Sequence, residues 1–146
     1  MSDADTQSLH ATAVALHGGA ALMIGASGSG KSSLALEMMA RGATLVADDR
    51  VLLTLDTDRV LLSCPDTLRG LIEARGVGLL HADHQSPASL RLVIDMDQTE
   101  TRRLPPDRTI TYFTKTFPLL HKVETQHFPA AVLQYLRSDG RSVGPS

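Results

Sequence analysis

Gly25-Ala26-Ser27-Gly28-Ser29-Gly30-Lys31-Ser32 is the stretch that decides the fold. It satisfies G-x-x-x-x-G-K-[ST] at every position, the pattern of a P-loop. Each residue type has a reason. Glycines let the backbone turn tightly and bring its N–H groups close to phosphate oxygens. A helix beginning at the end of the loop adds unpaired donors and a partial positive charge. Lys31 can reach the outer phosphates of a nucleotide, and the Ser32 hydroxyl can ligate Mg²⁺. The whole run, residues 25–32, is therefore the candidate nucleotide cradle, with ATP and Mg²⁺ as the expected cofactors.

The flanking sequence supplies the context that the motif needs. Ala20–Ile24 is a short apolar run that reads as a buried strand leading into the loop. Residues 6–16 alternate partially and read as a strand, and His17-Gly18-Gly19 is a turn, so the two suggest a hairpin. Ser32 to Arg41 predicts a helix, with Gly42 suited to follow its C-terminus. Thr44–Ala47 predicts a strand that ends in Asp48-Asp49.

Downstream, Val51–Leu55 and Val60–Ser63 flank Asp56-Thr57-Asp58-Arg59 and predict another hairpin. Residues 65–78 read as one helix turn or a loop, broken by Gly70, Gly76 and Gly78. Residues 81–87 read as a surface loop. Leu90–Met96 and Thr109–Phe113 predict strands, Phe117–Val123 an extended segment, and Ala130–Arg137 a helix with Pro129 in its first turn. The fold class expected is α/β: a P-loop nucleotide-binding domain with a strand-rich mixed sheet. Residues 1–146 read as a single domain, with loose tails at 1–5 and 138–146.

Composition narrows the classes. The chain has 146 residues, 42% hydrophobic and 21% charged, which excludes wholesale disorder. Ala20–Ile24, at five residues, is the longest apolar run and too short to cross a membrane as a helix. The formal net charge of −2 provides no basic field to attract nucleic acid. The acidic start, Met1-Ser2-Asp3-Ala4-Asp5, is unlike a signal peptide. Cys64 is the single cysteine, so neither an internal disulfide nor a cysteine metal cluster is available, and a cytoplasmic protein is expected. His17, His81, His84, His121 and His127 show no metal-ligand spacing.

Asp48 and Asp49 lie 17 and 18 residues after Lys31, so one helix separates them from the loop. One carboxylate can hold Mg²⁺ and the other can accept a proton from an incoming hydroxyl. Adjacent side chains on a strand face opposite ways, so both can serve one site only if the backbone turns there. The sequence leaves open which of the two faces the phosphates.

Four pieces in order resemble the catalytic domain of the bacterial HPr kinase/phosphorylase family: Leu9-His10, the loop GASGSGKS, LVADDRV at 45–51 and GLIEARGVG at 70–78. The resemblance covers roughly residues 8–104. It implies a PEP-carboxykinase-like P-loop fold. It also implies a protein-serine kinase that phosphorylates HPr, the phosphocarrier of the sugar phosphotransferase system, with reverse phosphorolysis. On it, Lys31 and Ser32 match the phosphate-binding Lys and metal-ligating Ser. Asp49 matches the proton acceptor, His10 an active-site His and Glu73 a metal ligand alongside Asp48. Arg103 matches a catalytic Arg, with Arg102 as the neighbouring alternative. A homo-oligomer is implied too.

The sequence departs from the family in four respects. The family's N-terminal domain has no counterpart, so a short, minimal version is expected. Ala26 stands where the family has an acidic residue, and Ser33 where it usually has Glu. The basic Pro/Gly/Arg loop tied to phosphorolysis has no clear counterpart, with FPLLHKV at 117–123 in its place. Two other readings of the loop are a small-metabolite kinase and a non-catalytic nucleotide-responsive module.

Overall fold

The computed structural model describes residues 5–138. Of the expected tails, residues 1–4 and 139–146 lie outside the described residues. Ser138 caps the C-terminus of the last helix, whose Gln134 carbonyl accepts from both the Ser138 N–H and its hydroxyl.

The strands are β1 (Thr6–Leu9), β2 (Ala11–Leu16), β3 (Gly19–Ile24), β4 (Thr44–Ala47), β5 (Val51–Asp56), β6 (Arg59–Ser63), β7 (Leu71–Ala74), β8 (Gly78–His81), β9 (Ala88–Thr99), β10 (Thr109–Tyr112) and β11 (Lys115–Lys122). Helix α1 (Lys31–Met39) follows β3, and α2 (Phe128–Arg137) comes last. Among the described residues, nine strands form one mixed sheet in the order β1-β5-β6-β9-β3-β2-β4, with β11 and then β10 joined beside β9. The α/β, strand-rich expectation holds.

β9 is the axis of this sheet. It runs parallel to β3 along one side, and its other side pairs with β6 at the start and β11 towards the end. Strands so enclosed are buried on both faces, and the period of two then feeds two cores. Val14, Met23, Leu92 and Ile94 face α1 and α2, where Leu34, Met38, Val132, Leu133 and Leu136 cover them. Ala13, Leu22 and Val93 face the other way, against Val51, Leu53, Val60 and Leu62. The sheet curls to close this second core: β2 touches β5 and β4 touches β6, although neither pair are neighbours.

α2 buries Phe128, Val132, Leu133 and Leu136 at helical spacing, which makes it amphipathic. α1 ends near its expected position. Gly42 sits at φ 109°, a left-handed value that suits glycine, and lets the Ala43 N–H return to the Met38 carbonyl at 3.1 Å.

Two expectations are corrected. Residues 6–16 form two strands, not one. β1 pairs with β5, whereas β2 pairs with β3 and β4, and the chain bends at His10 between them. Residues 65–78 also hold more order than expected. After a 3-10 turn at Asp66–Leu68, β7 and β8 form a separate antiparallel hairpin. Its turn, Arg75–Val77, contains Gly76 at φ 85°, while Gly70 stands just before β7 and Gly78 opens β8, so these glycines bound and turn a hairpin and do not mark a loop.

Candidate functional site

The pairing register brings the site together. The start of antiparallel β2 lies beside the ends of β3 and β4: Ala11 faces Ile24 and Ala13 faces Ala47. His10, the loop after β3 and the aspartates after β4 therefore meet at one edge of the sheet. They line a pocket of about 670 Å³ with Thr12, Ser27, Gly28, Gly30, Lys31, Ser32, Asp48 and Asp49. The β7–β8 hairpin closes another side with Leu71, Glu73, Arg75 and Leu79.

The loop has the conformation its glycines promise. Gly25, Gly28 and Gly30 all have positive φ, at 141°, 83° and 102°. Gly25 also has no room for a side chain, since a Cβ would lie 2.9 Å from Ser29 Oγ and 3.2 Å from Asp97 Oδ1 and Met96 Cβ. Lys31 opens α1 and is only 6% exposed. Its ammonium donates to the Gly25 carbonyl and, at 3.0 Å, to the Ala26 carbonyl.

Asp48 and Asp49 reach the same pocket but differ in exposure. Asp49 sits at φ 73°, so the chain turns sharply after β4 and both residues line one pocket. Asp48 is 6% exposed and accepts three hydrogen bonds. Thr12 and Ser32 hydroxyls donate to its Oδ1 at 2.8 and 2.7 Å, and the Glu73 N–H donates to its Oδ2 at 3.0 Å. All three donors are neutral. Asp49, by contrast, keeps its carboxylate in solvent, with Oδ1 3.4 Å from His10 Nδ1. His10 Nδ1 also lies 2.9 Å from the Asp49 carbonyl oxygen, and Nε2 lies 3.2 Å from Ser27 Oγ. The imidazole thus ties the loop to the aspartate turn.

The donor set suits Mg²⁺. Ser32 Oγ and Asp48 Oδ1 are hard oxygens 2.7 Å apart at the pocket wall. Mg²⁺ takes one or two such protein ligands and completes its shell with water and substrate phosphates. Glu73 lines the pocket as expected, but it is its backbone N–H that reaches Asp48. Among the described residues, no group of three or more His, Cys, Asp or Glu is placed to hold a metal.

Of the expected cradle, Gly25, Ala26 and Ser29 do not line the pocket, and of the expected catalytic residues Arg103 is left apart. It is exposed in the segment after β9 and is not part of the pocket lining, nor is Arg102. Arg75, in the same 70–78 segment as Glu73 but given no role by the sequence, is the arginine that lines the pocket. Thr12 was missed as well. It is fully buried, and a Thr in a strand of small and β-branched residues carries no signal of its role. Cys64 is buried in the core. Burial pushes its thiol pKa up against the pull of Arg69, and Asp66 and Asp48 push the same way, so it is a packing residue and not a nucleophile.

The loop, the helix behind it and the carboxylates that follow β4 define a P-loop domain on a mixed sheet. The sequence matches the family described as HPr Serine kinase C-terminal domain over residues 2–108, and the chain belongs to that family. It is 46% identical over 72 residues to the HPr kinase/phosphorylase of Caldicellulosiruptor bescii, covering 49% of this chain and 23% of that protein. It is 36% identical over 105 residues to the HPr kinase/phosphorylase of Xylella fastidiosa strain M12, covering 66% of this chain and 33% of that protein. The chain thus spans 23% to 33% of the length of these curated relatives. In structure it resembles the HPr(Ser) kinase/phosphatase from Coxiella burnetii, with a TM-score of 0.78 at 23% identity, over 91% of this chain and 95% of that one. That likeness supports the fold. Among the described residues, no helix is long and apolar enough to cross a membrane.

Proposed function

We propose that this chain is an ATP- and Mg²⁺-dependent protein-serine kinase domain acting on HPr. The observation that carries the reading is the division between the two aspartates. Asp48 is buried and fully hydrogen-bonded beside Ser32, while Asp49 holds an exposed carboxylate over the same pocket. A module that only bound nucleotide would have no use for the second.

In this reading the glycine loop and the start of α1 receive the nucleotide phosphates, and Lys31 leaves its loop carbonyls for the outer phosphate oxygens. Ser32 and Asp48 hold Mg²⁺, which when bound neutralises charge on the phosphates. Asp49 accepts the proton of the attacking serine hydroxyl as the bond to the γ-phosphorus forms and the bond to ADP breaks. His10 orients that carboxylate from its far side. Arg75 is placed to offset charge on the transferring group. Arg103 can take that part only if the segment after β9 moves towards the pocket. The homo-oligomer and the reverse phosphorolysis rest on the family alone.

Incubation of the chain with ATP, Mg²⁺ and purified HPr, followed by intact-mass measurement and peptide mapping, tests the proposal. One added phosphoryl group on an HPr serine supports it. ATP binding with no transfer to HPr would sink the substrate assignment.

A further inference from the structure

We infer that Asp97, at the far end of β9, is a positioning residue for the P-loop: it fixes the Gly25–Ala26 peptide and, through it, the resting place of Lys31. The inference rests on the ATP-binding reading of the pocket. The geometry is specific. β9 pairs with β3 only as far as Ile24 opposite Asp95, so residues 96 and 97 run on alongside the loop. Both Asp97 carboxylate oxygens lie 3.1 Å from the Ala26 nitrogen and share its N–H. The carbonyl of that same peptide, on Gly25, accepts from the Lys31 ammonium. One peptide therefore stands between a carboxylate and an ammonium, its dipole aligned with both charges. Charge-assisted hydrogen bonds of this kind are the stronger ones.

The arrangement also decides which loop amides face the nucleotide. Ala26 does not line the pocket, whereas Ser27, Gly28 and Gly30 do. With its N–H held by Asp97, the Ala26 peptide is turned away from the phosphates. The glycine at 25 is required by the same contact, because a Cβ there would meet Asp97 Oδ1 at 3.2 Å as well as Ser29 Oγ.

Simple Coulomb reasoning gives the opposite sign. A carboxylate beside a polyphosphate site repels the nucleotide, so removing it should tighten binding. Positioning predicts that removal weakens binding, and the sign separates the two accounts. Calorimetry with ATP and Mg²⁺ on wild type, Asp97→Asn and Asp97→Ala makes the comparison. Asp97→Ala should bind about fivefold or more weakly, the scale of one net hydrogen bond lost from the loop. Asp97→Asn keeps an acceptor for the Ala26 N–H and should stay within about twofold of wild type. Equal or tighter binding by Asp97→Ala overturns the inference, as does an Asn variant as weak as the Ala variant.

Amide hydrogen exchange in the wild type is the second readout, independent of variant folding and of nucleotide binding. The exposed Ala26 amide should exchange slowly, because only Asp97 protects it. Fast exchange there overturns the inference. Failure of the wild type to bind ATP would instead count against the reading of the pocket, with the Ala26 exchange rate still deciding the role of Asp97.

Discussion

The Ser32 hydroxyl donates to Asp48 Oδ1 at 2.7 Å, joining the first turn of α1 to the end of β4. Neither residue is near the other in sequence. The link exists because β2 lies between β3 and β4 and contributes Thr12 to the same carboxylate oxygen. The three groups that donate to this carboxylate are all neutral, and it stands at the wall of the pocket beside the proposed Mg²⁺ position.

Asp48→Asn should therefore act on metal dependence. The Mg²⁺ concentration needed for half-maximal transfer should rise by about tenfold or more, as expected for loss of a charged ligand. Titration of transfer rate against Mg²⁺ at saturating ATP checks this. An unchanged midpoint would show that Asp48 is only a structural acceptor for Thr12, Ser32 and Glu73.

Lys31→Ala should weaken ATP binding by about tenfold or more, since the side chain supplies the mobile positive charge at the outer phosphates. It also removes the donor to the Gly25 and Ala26 carbonyls, so the loop loses an internal tie. Calorimetry on folded protein measures the effect. Equal affinity in the two proteins would reject the role given to Lys31.

Glu100 gives a test by pH. Its carboxylate is almost wholly buried and accepts from Arg108 at 2.7 Å and from the Thr101 and Arg102 N–H groups at 3.2 Å. Burial alone would raise its pKa, but the Arg102 N–H, the Arg108 charge, the Thr101 N–H and His121 together hold it below the ordinary value. A carboxyl lowered on folding stabilises the fold above its unfolded value, and that contribution is lost as pH falls through the folded one. Glu100→Gln should lower the thermal midpoint at neutral pH by several degrees. The gap from wild type should narrow below about pH 4. A gap that does not change with pH would contradict this account.

The parts of the fold legible in sequence are those governed by local rules. Ala20–Ile24, GASGSGKS and the following helix carry an apolar run, a motif and helix formers in immediate succession, so each supports the others. The Asp48-Asp49 turn was legible as a requirement, and the positive φ of Asp49 meets it. What escaped depends on long-range pairing. The break at His10 arises because β1 and β2 belong to different neighbours, a fact absent from residues 6–16 themselves. The β7–β8 hairpin was hidden by Gly70, Gly76 and Gly78, which precede it, turn it and open its second strand. Asp97 was hidden because its role depends on β9 outrunning β3. Arg103 was assigned by likeness alone, and the structure leaves it outside the pocket, in the exposed segment after β9.

Single-turnover transfer by Asp49→Asn, measured beside its ATP affinity, tests the central claim most directly. Asp49 exposes its carboxylate, and the backbone carbonyl through which His10 ties it to the loop is kept in the Asn variant. The account predicts ATP affinity within a few-fold of wild type and phosphoryl transfer to HPr slowed by roughly 10²-fold or more. Transfer slowed by less than about tenfold would contradict it, leaving positioning alone to carry the reaction.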